Sequence, residues 1–187
     1  MRRGNLFVIS GPSGAGKGTL VARLLREVPD CWVSVSATTR SPREGEQEAV
    51  QYFFKNDEEF DALVNEDGLL EWATYADHRY GTPKSAVLGH IAKGEQVVLE
   101  IDVQGAFQVK DKLPEAHLVF IEPPSLTVLE ERLRGRGTET DEVIASRMEA
   151  AQAELARKMD YDIRIVNDDL ETATRQLVDY VNEKAEE

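Results

Sequence analysis

Apolar residues fall along this chain in short unbroken runs rather than in strict alternation. Leu6-Phe7-Val8-Ile9-Ser10 is one such run, bounded by glycine, and it suits a strand buried on both faces. A glycine-rich turn follows. Leu20, Val21, Leu24, Leu25 and Val28 then recur at helical spacing until Pro29 stops them. Trp32-Val33-Ser34-Val35-Ser36 predicts a second strand. Val97-Val98-Leu99-Glu100-Ile101-Asp102 and His117-Leu118-Val119-Phe120-Ile121 predict two more buried strands, each followed by a helix-like stretch. Asp162-Ile163-Arg164-Ile165-Val166 is a last short strand, and Leu170 to Val181 a closing helix. Strands alternating with helices imply parallel pairing, so the expected fold class is an α/β sandwich around a parallel central sheet.

Two regions break the rhythm. Residues 37–82 are polar and turn-rich, with aromatic segments at Tyr52-Phe53-Phe54 and from Leu69 to Tyr75 that alternate like half-exposed strands. Residues from about 132 to 147 set Gly135 and Gly137 among arginines, between two helical patterns. Both are expected to be insertions, and insertions on a compact scaffold often carry function. The expected division is a core of about 1–35, 83–131 and 148–187, one insertion at about 36–82 and another at about 132–147.

Composition narrows the setting. At 187 residues, 41% hydrophobic and 30% charged, the chain suits one globular domain. No segment approaches the ~20 consecutive apolar residues of a membrane helix, and the apolar run after Arg2-Arg3-Gly4 is too short for a signal peptide. A formal net charge of -13 repels nucleic acid and anionic lipid at long range, so neither is an expected partner. Cys31 is the only cysteine, which excludes an internal disulfide and suits a reducing cytoplasm. His78, His90 and His117 show no metal-ligand spacing.

Candidate chemistry begins directly after the first strand. Gly11-Pro12-Ser13-Gly14-Ala15-Gly16-Lys17 turns from a strand into a helix. A loop that points several backbone N–H groups at one anion needs tight turns without Cβ clashes, hence the glycines. The helix N-terminus adds partial positive charge, and Lys17 can reach the β- and γ-phosphates of a nucleotide. The next residue is usually Ser or Thr; here it is Gly18, with the hydroxyl one place later on Thr19.

A second constellation follows. Ser36-Ala37-Thr38-Thr39-Arg40-Ser41-Pro42-Arg43-Glu44-Gly45-Glu46 brings two arginines together across a proline turn. Tyr52, Glu71-Trp72-Ala73, Tyr80-Gly81-Thr82 and Glu100-Ile101-Asp102-Val103-Gln104-Gly105 come after it. With the phosphate loop, and with Arg136-Gly137-Thr138-Glu139, Ala151 to Leu155 and Val166-Asn167-Asp168-Asp169, the chain resembles the guanylate kinase family over almost its whole length. The resemblance implies a three-layer P-loop kinase fold whose first insertion binds GMP and whose second is a mobile lid. It implies transfer of the γ-phosphoryl group of ATP to GMP, and to dGMP, within purine nucleotide metabolism. By the same resemblance Arg40, Arg43, Tyr52 and Tyr80 would hold the GMP phosphate, Glu71 and Asp102 would accept from the guanine edge, and Ser36 and Thr82 would hold its polar atoms. A carboxylate matches guanine's adjacent N1–H and N2 donors, and an adenine in its place would leave that carboxylate unpaired.

Arg132 and Arg136 are four apart and share a face if their helix continues that far, while Arg147 lies on the next helical pattern. By resemblance these three close on ATP, where positioned cations stabilise the spread charge of phosphoryl transfer. Arg134 sits off that face and reads as solvated. Asn167 and the following aspartates suit either the adenine or a helix start. The expected cofactor is Mg²⁺, arriving with ATP and held mainly by phosphates and water, with Thr19 and Asp102 as candidate protein contacts. Two other readings stay open at this level: a different nucleoside monophosphate kinase, suggested by Lys17-Gly18-Thr19, and a non-catalytic protein-binding module of the same fold. The sequence leaves open whether the protein is a monomer or a homo-oligomer.

Overall fold

A computed structural model describes residues 2–75, 77–135, 137 and 139–186. In chain order, β1 (Asn5–Ser10) leads through the phosphate loop into α1 (Lys17–Glu27) and β2 (Cys31–Val33). The first insertion contributes β3 (Ser36–Thr38), β4 (Tyr52–Phe54), α2 (Asp57–Asn65), β5 (Leu69–Tyr75) and β6 (His78–Pro83). The chain returns through α3 (Lys84–Ala92), β7 (Gln96–Glu100), α4 (Val103–Lys112), β8 (His117–Glu122), α5 (Leu126–Arg134), α6 (Asp141–Leu155), β9 (Ile163–Val166) and α7 (Leu170–Glu186).

The central sheet runs β2-β7-β1-β8-β9, and every pairing in it is parallel. Its continuous apolar strands are explained by cover on both faces. Phe7 and Ile9 of β1 face Leu20 and Leu24 of α1 and Leu177 and Val181 of α7. Leu6 and Val8 face the opposite way, towards Val87 of α3 and Ala106 and Val109 of α4. Successive residues of one strand thus serve two helical layers, giving the three-layer sandwich. No helix among the described residues is long and apolar enough to cross a membrane.

The insertion builds its own sheet, ordered β4-β3-β6-β5, with antiparallel pairing of β6 to both neighbours. Phe60 of α2 packs with Ala37 and Leu69 behind it. Here the structure corrects the sequence reading: Trp32 to Ser36 is two strands, not one. Ser34 N–H still donates to Val98 O at 2.9 Å, the last bond to the central sheet. Ser36 then pairs with Tyr52 in the second sheet. Hydrophobic alternation does not register a change of partner.

Candidate active site

The phosphate loop is shaped by close approaches. Gly11 lies so near β8 that a Cβ there would meet Ile121 O at 2.2 Å, and its φ of +145° is in the region glycine tolerates. Gly16 precedes α1 in a left-handed conformation and provides no side-chain cap. The first-turn N–H groups of α1 therefore suit an anion. Lys17 Nζ donates to Gly11 O at 2.5 Å and to Pro12 O at 3.1 Å, folding over the loop. A cavity of about 330 Å³ opens there, lined by Ser13, Gly14, Gly16, Lys17, Gly18 and Thr19.

The second cavity, about 380 Å³, lies between the insertion sheet and the end of β7. Of the residues expected at the acceptor, Ser36, Tyr52, Glu71, Tyr80 and Asp102 line it. Glu71 is 7% exposed and accepts from Thr82 Oγ1 at 2.7 Å, so Thr82 stands behind the carboxylate rather than in the wall. Burial raises the Glu71 pKa above the ordinary carboxylate value; Thr82 opposes the shift and the charge of Asp102 adds to it. Asp102 caps α4, its Oδ1 accepting from Gly105 N–H at 2.7 Å. Arg40 lies beside the cavity, its guanidinium carbon 5.3 Å from the Tyr52 ring centroid. Arg43 meets the same region through its backbone, with its side chain exposed.

A third cavity of about 310 Å³ joins the two. It shares Ser13, Lys17 and Glu100 with the phosphate-loop cavity and Glu100, Ile101 and Asp102 with the Glu71 pocket. Arg147 of α6 reaches its rim, donating to Ser13 Oγ at 2.9 Å and pairing with Glu139. Arg132 Nη2 donates to Asn167 O at 2.9 Å. Arg136 lies outside the described residues, and α5 ends at Arg134, short of it. Arg134 is a surface residue, paired with Glu130 at 2.8 Å and with Asp141.

The family model described as guanylate kinase matches residues 3–184. A guanylate kinase of Streptomyces kasugaensis is 54% identical over 176 residues, spanning 94% of this chain and 86% of that protein. One from Synechococcus sp. (strain CC9902) is 53% identical and spans 93% of each. The chain belongs to the guanylate kinase family. The crystal structure of guanylate kinase from Anaplasma phagocytophilum superposes with a TM-score of 0.76 at 30% identity, covering 100% of this chain and 89% of that one. A shikimate kinase of Bacteroides thetaiotaomicron, at 18% identity and TM-score 0.55, shares the fold alone.

Within this guanylate kinase fold, three carboxylates acquire places that the sequence reading did not assign. Glu100 ends β7 and borders all three cavities. An acidic residue closing a buried strand next to a phosphate loop was the available signal. Glu154 faces Lys17 from α6; burial raises its pKa, Lys17 lowers it and Asp102 raises it. Glu46 binds Arg40 Nη2 at 2.9 Å and the Arg43 N–H at 2.8 Å, fixing both arginines of the proline turn. Asn167 is 6% exposed and is not the cap of α7; Asp169 Oδ1 accepts from Thr172 N–H at 2.8 Å instead.

Proposed function

We propose that this enzyme transfers the γ-phosphoryl group of ATP to GMP, with dGMP as a further acceptor, in purine nucleotide recycling. The observation that carries the reading is the middle cavity, whose walls belong at one end to the phosphate loop and at the other to the Glu71 pocket. A donor phosphate chain on the loop and an acceptor phosphate beside Arg40 and Tyr80 would meet there in line. Residues 36–82 act as the acceptor-binding insertion and residues 132–147 as the lid.

The chemistry asks the protein for positioning and charge rather than for a nucleophile. A phosphate oxygen of GMP attacks the γ-phosphorus, and the bond to the β-bridging oxygen breaks. Backbone N–H groups of the loop and Lys17 hold the departing ADP oxygens, while Arg132 and Arg147 meet the equatorial charge of the transferring group. Glu71, backed by Thr82, and Asp102 orient the base. Mg²⁺ fits the oxygen-rich wall between Thr19, Glu100 and Asp102. No cluster of three ligating side chains stands among the described residues, so nucleotide phosphates and water would supply most of its shell. Bound there, it would neutralise charge on the β- and γ-oxygens. The lone Cys31 suits a cytoplasmic setting.

The test is a coupled assay of the purified protein with ATP, Mg²⁺ and each nucleoside monophosphate. GMP should exceed AMP, CMP and UMP by at least about 10³-fold in kcat/KM, the scale set by unpaired buried polar groups. Comparable values for AMP and GMP would overturn the acceptor, and no transfer to any acceptor would leave the binding-module reading.

A further inference from the structure

Asn167 is a buried polar residue bonded to the phosphate loop, yet the transfer reaction as derived above gives it no part. It follows β9 directly, and its N–H donates to Glu122 O at 2.8 Å, fixing it to the end of β8. Its side-chain Nδ2 donates to Ala15 O at 2.8 Å within the protein interior. A carbonyl can only accept, so the amide nitrogen must be the atom that faces it. Its backbone carbonyl accepts from Arg132 Nη2 at 2.9 Å. One residue therefore holds both the phosphate loop and a lid arginine.

We propose that Asn167 is a positioning residue for the donor nucleotide, its side chain setting the orientation of the Ala15–Gly16 peptide. In a trans peptide the C=O and the following N–H point in opposite directions. With the Ala15 carbonyl drawn down onto Asn167, the Gly16 N–H is turned the other way, towards the cavity that Gly16 and Lys17 line. Gly16 makes this possible. Its φ is +93°, and a Cβ at that position would stand 2.3 Å from Asn167 Nδ2. The glycine before the loop lysine and an asparagine about 150 residues away are thus a matched pair, the first leaving the space the second fills. Without the Nδ2 donor, the buried Ala15 carbonyl would seek another partner by rotating its peptide plane, and the Gly16 N–H would turn with it.

A plain structural brace would look different in solution. Loss of a brace lowers the melting temperature and disturbs both substrates alike. Loss of a positioning residue weakens the donor alone. The inference rests on the phosphate loop being the donor site, so Lys17→Ala is carried alongside as a reference. Two variants of the full chain separate the possibilities. Asn167→Leu keeps approximate volume and removes the donor. Asn167→Asp keeps shape and donates to Ala15 O only when protonated. The measurements are melting temperature, calorimetric Kd for GMP and for a non-hydrolysable ATP analogue, and the KM and kcat for each substrate.

Both variants should bind the ATP analogue at least tenfold more weakly near neutral pH, with Kd for GMP within twofold of the unsubstituted protein. As pH falls, the deficit of Asn167→Asp should shrink relative to the unsubstituted protein at the same pH, and that of Asn167→Leu should not. The charged neighbours, Arg132 on α5, Glu122 on β8 with its partner Lys158, and Asp168, are common to all three proteins, so the ratio removes their own titration. Equal weakening of GMP and ATP analogue, or unchanged binding of the analogue by folded Asn167→Leu, would overturn the proposal. If Asn167→Leu does not fold, a pH-independent deficit in Asn167→Asp overturns it instead. Should Lys17→Ala itself bind and turn over ATP normally, the donor-site reading fails first; if only Lys17→Ala is impaired, the failure belongs to Asn167.

Discussion

Replacing Glu71 by glutamine separates the needs of the acceptor site from those of the fold. The carboxylate is 7% exposed, and its Oε1 already takes the Thr82 hydroxyl at 2.7 Å. Guanine would bring two donors to the remaining acceptor positions. Hydrogen bonds to a charged group contribute about 1.5–3 kcal/mol each, against about 1 kcal/mol for a neutral pair. Glutamine retains one accepting oxygen and turns an NH₂ towards a guanine donor, so the net loss is about 3 kcal/mol. That corresponds to about 10²-fold in kcat/KM for GMP, since 1.36 kcal/mol is tenfold. AMP, which offers no such donor pair, should lose much less, and the preference for GMP should narrow.

Stability should move the other way. Burial holds the Glu71 pKa in the folded protein above its ordinary value of 4.5. A raised carboxylate pKa favours the folded state below 4.5, and that contribution is lost as pH rises through the folded-state value. At pH 7 the ionised, buried group is a liability that glutamine removes. Glu71→Gln should therefore melt at a higher temperature than the unsubstituted protein at pH 7, and the gap should close as pH is lowered towards 4.5. Steady-state kinetics with GMP and AMP, plus melting curves from pH 4.5 to 8, test both halves. A kcat/KM for GMP within threefold of the original would remove Glu71 from guanine recognition. A lower melting temperature at pH 7 would refute the account of its burial.

Lys17→Ala should lower turnover by about 10²-fold or more while changing the melting temperature by less than about 2 °C, because the hydrogen bonds it donates to Gly11 O and Pro12 O lie in the loop; near-normal turnover in a folded variant would refute the role. Arg147→Ala should depress kcat far more than GMP affinity, its phosphate contact forming only on closure, and parallel changes in both constants would count against a lid. Distance labels at Glu58→Cys in α2 and Glu149→Cys in α6 should draw together only when GMP and a non-hydrolysable ATP analogue are both present, a population shift that needs ~5.5 kcal/mol of differential affinity for full conversion. Burial pushes the Cys31 thiol up to about 12, so it should escape thiol-directed labelling; an unchanged distance would rule out closure.

What the sequence made legible is what local physics dictates. The phosphate loop needs glycines, a lysine and a helix start in one order, and β1 needs an apolar run because helices cover both its faces. Ser36, Tyr52, Glu71, Tyr80 and Asp102 came from the family resemblance, and the fold gathers them into one wall. The illegible parts depend on partners that arrive from elsewhere in the chain. Nothing near Ser34 marks the point where the strand leaves one sheet for another. Glu46 is one acid among several in a polar turn, and only the folded turn sets it between Arg40 and the Arg43 backbone. Asn167 sits in an Asn-Asp-Asp string that suits a helix cap, and that duty falls to Asp169.

The same distinction explains how a chain of net charge -13 can serve two polyanions. At physiological ionic strength, exposed charges are screened over about 8 Å, so the cleft's own groups decide the field a phosphate meets. Away from the cleft, arginines are tied to carboxylates: Arg79 to Asp57 and Asp61, Arg157 to Asp160, Arg23 to Glu171. Inside it, Arg40 and Arg147 are also paired with carboxylates, Glu46 and Glu139, but neutral oxygens share in the orienting. Arg132 is held by the Asn167 carbonyl, Lys17 by the carbonyls of Gly11 and Pro12, and Arg147 in part by the Ser13 hydroxyl. A carbonyl fixes the direction of a cation without cancelling its charge, whereas a carboxylate does both. Glu100, Asp102 and Glu154 on the facing wall act in the opposite sense, repelling any donor whose phosphates carry their full charge. Cations held in part by neutral oxygens on one side and carboxylates on the other make the field change sign across the cleft, whatever the net charge of the chain.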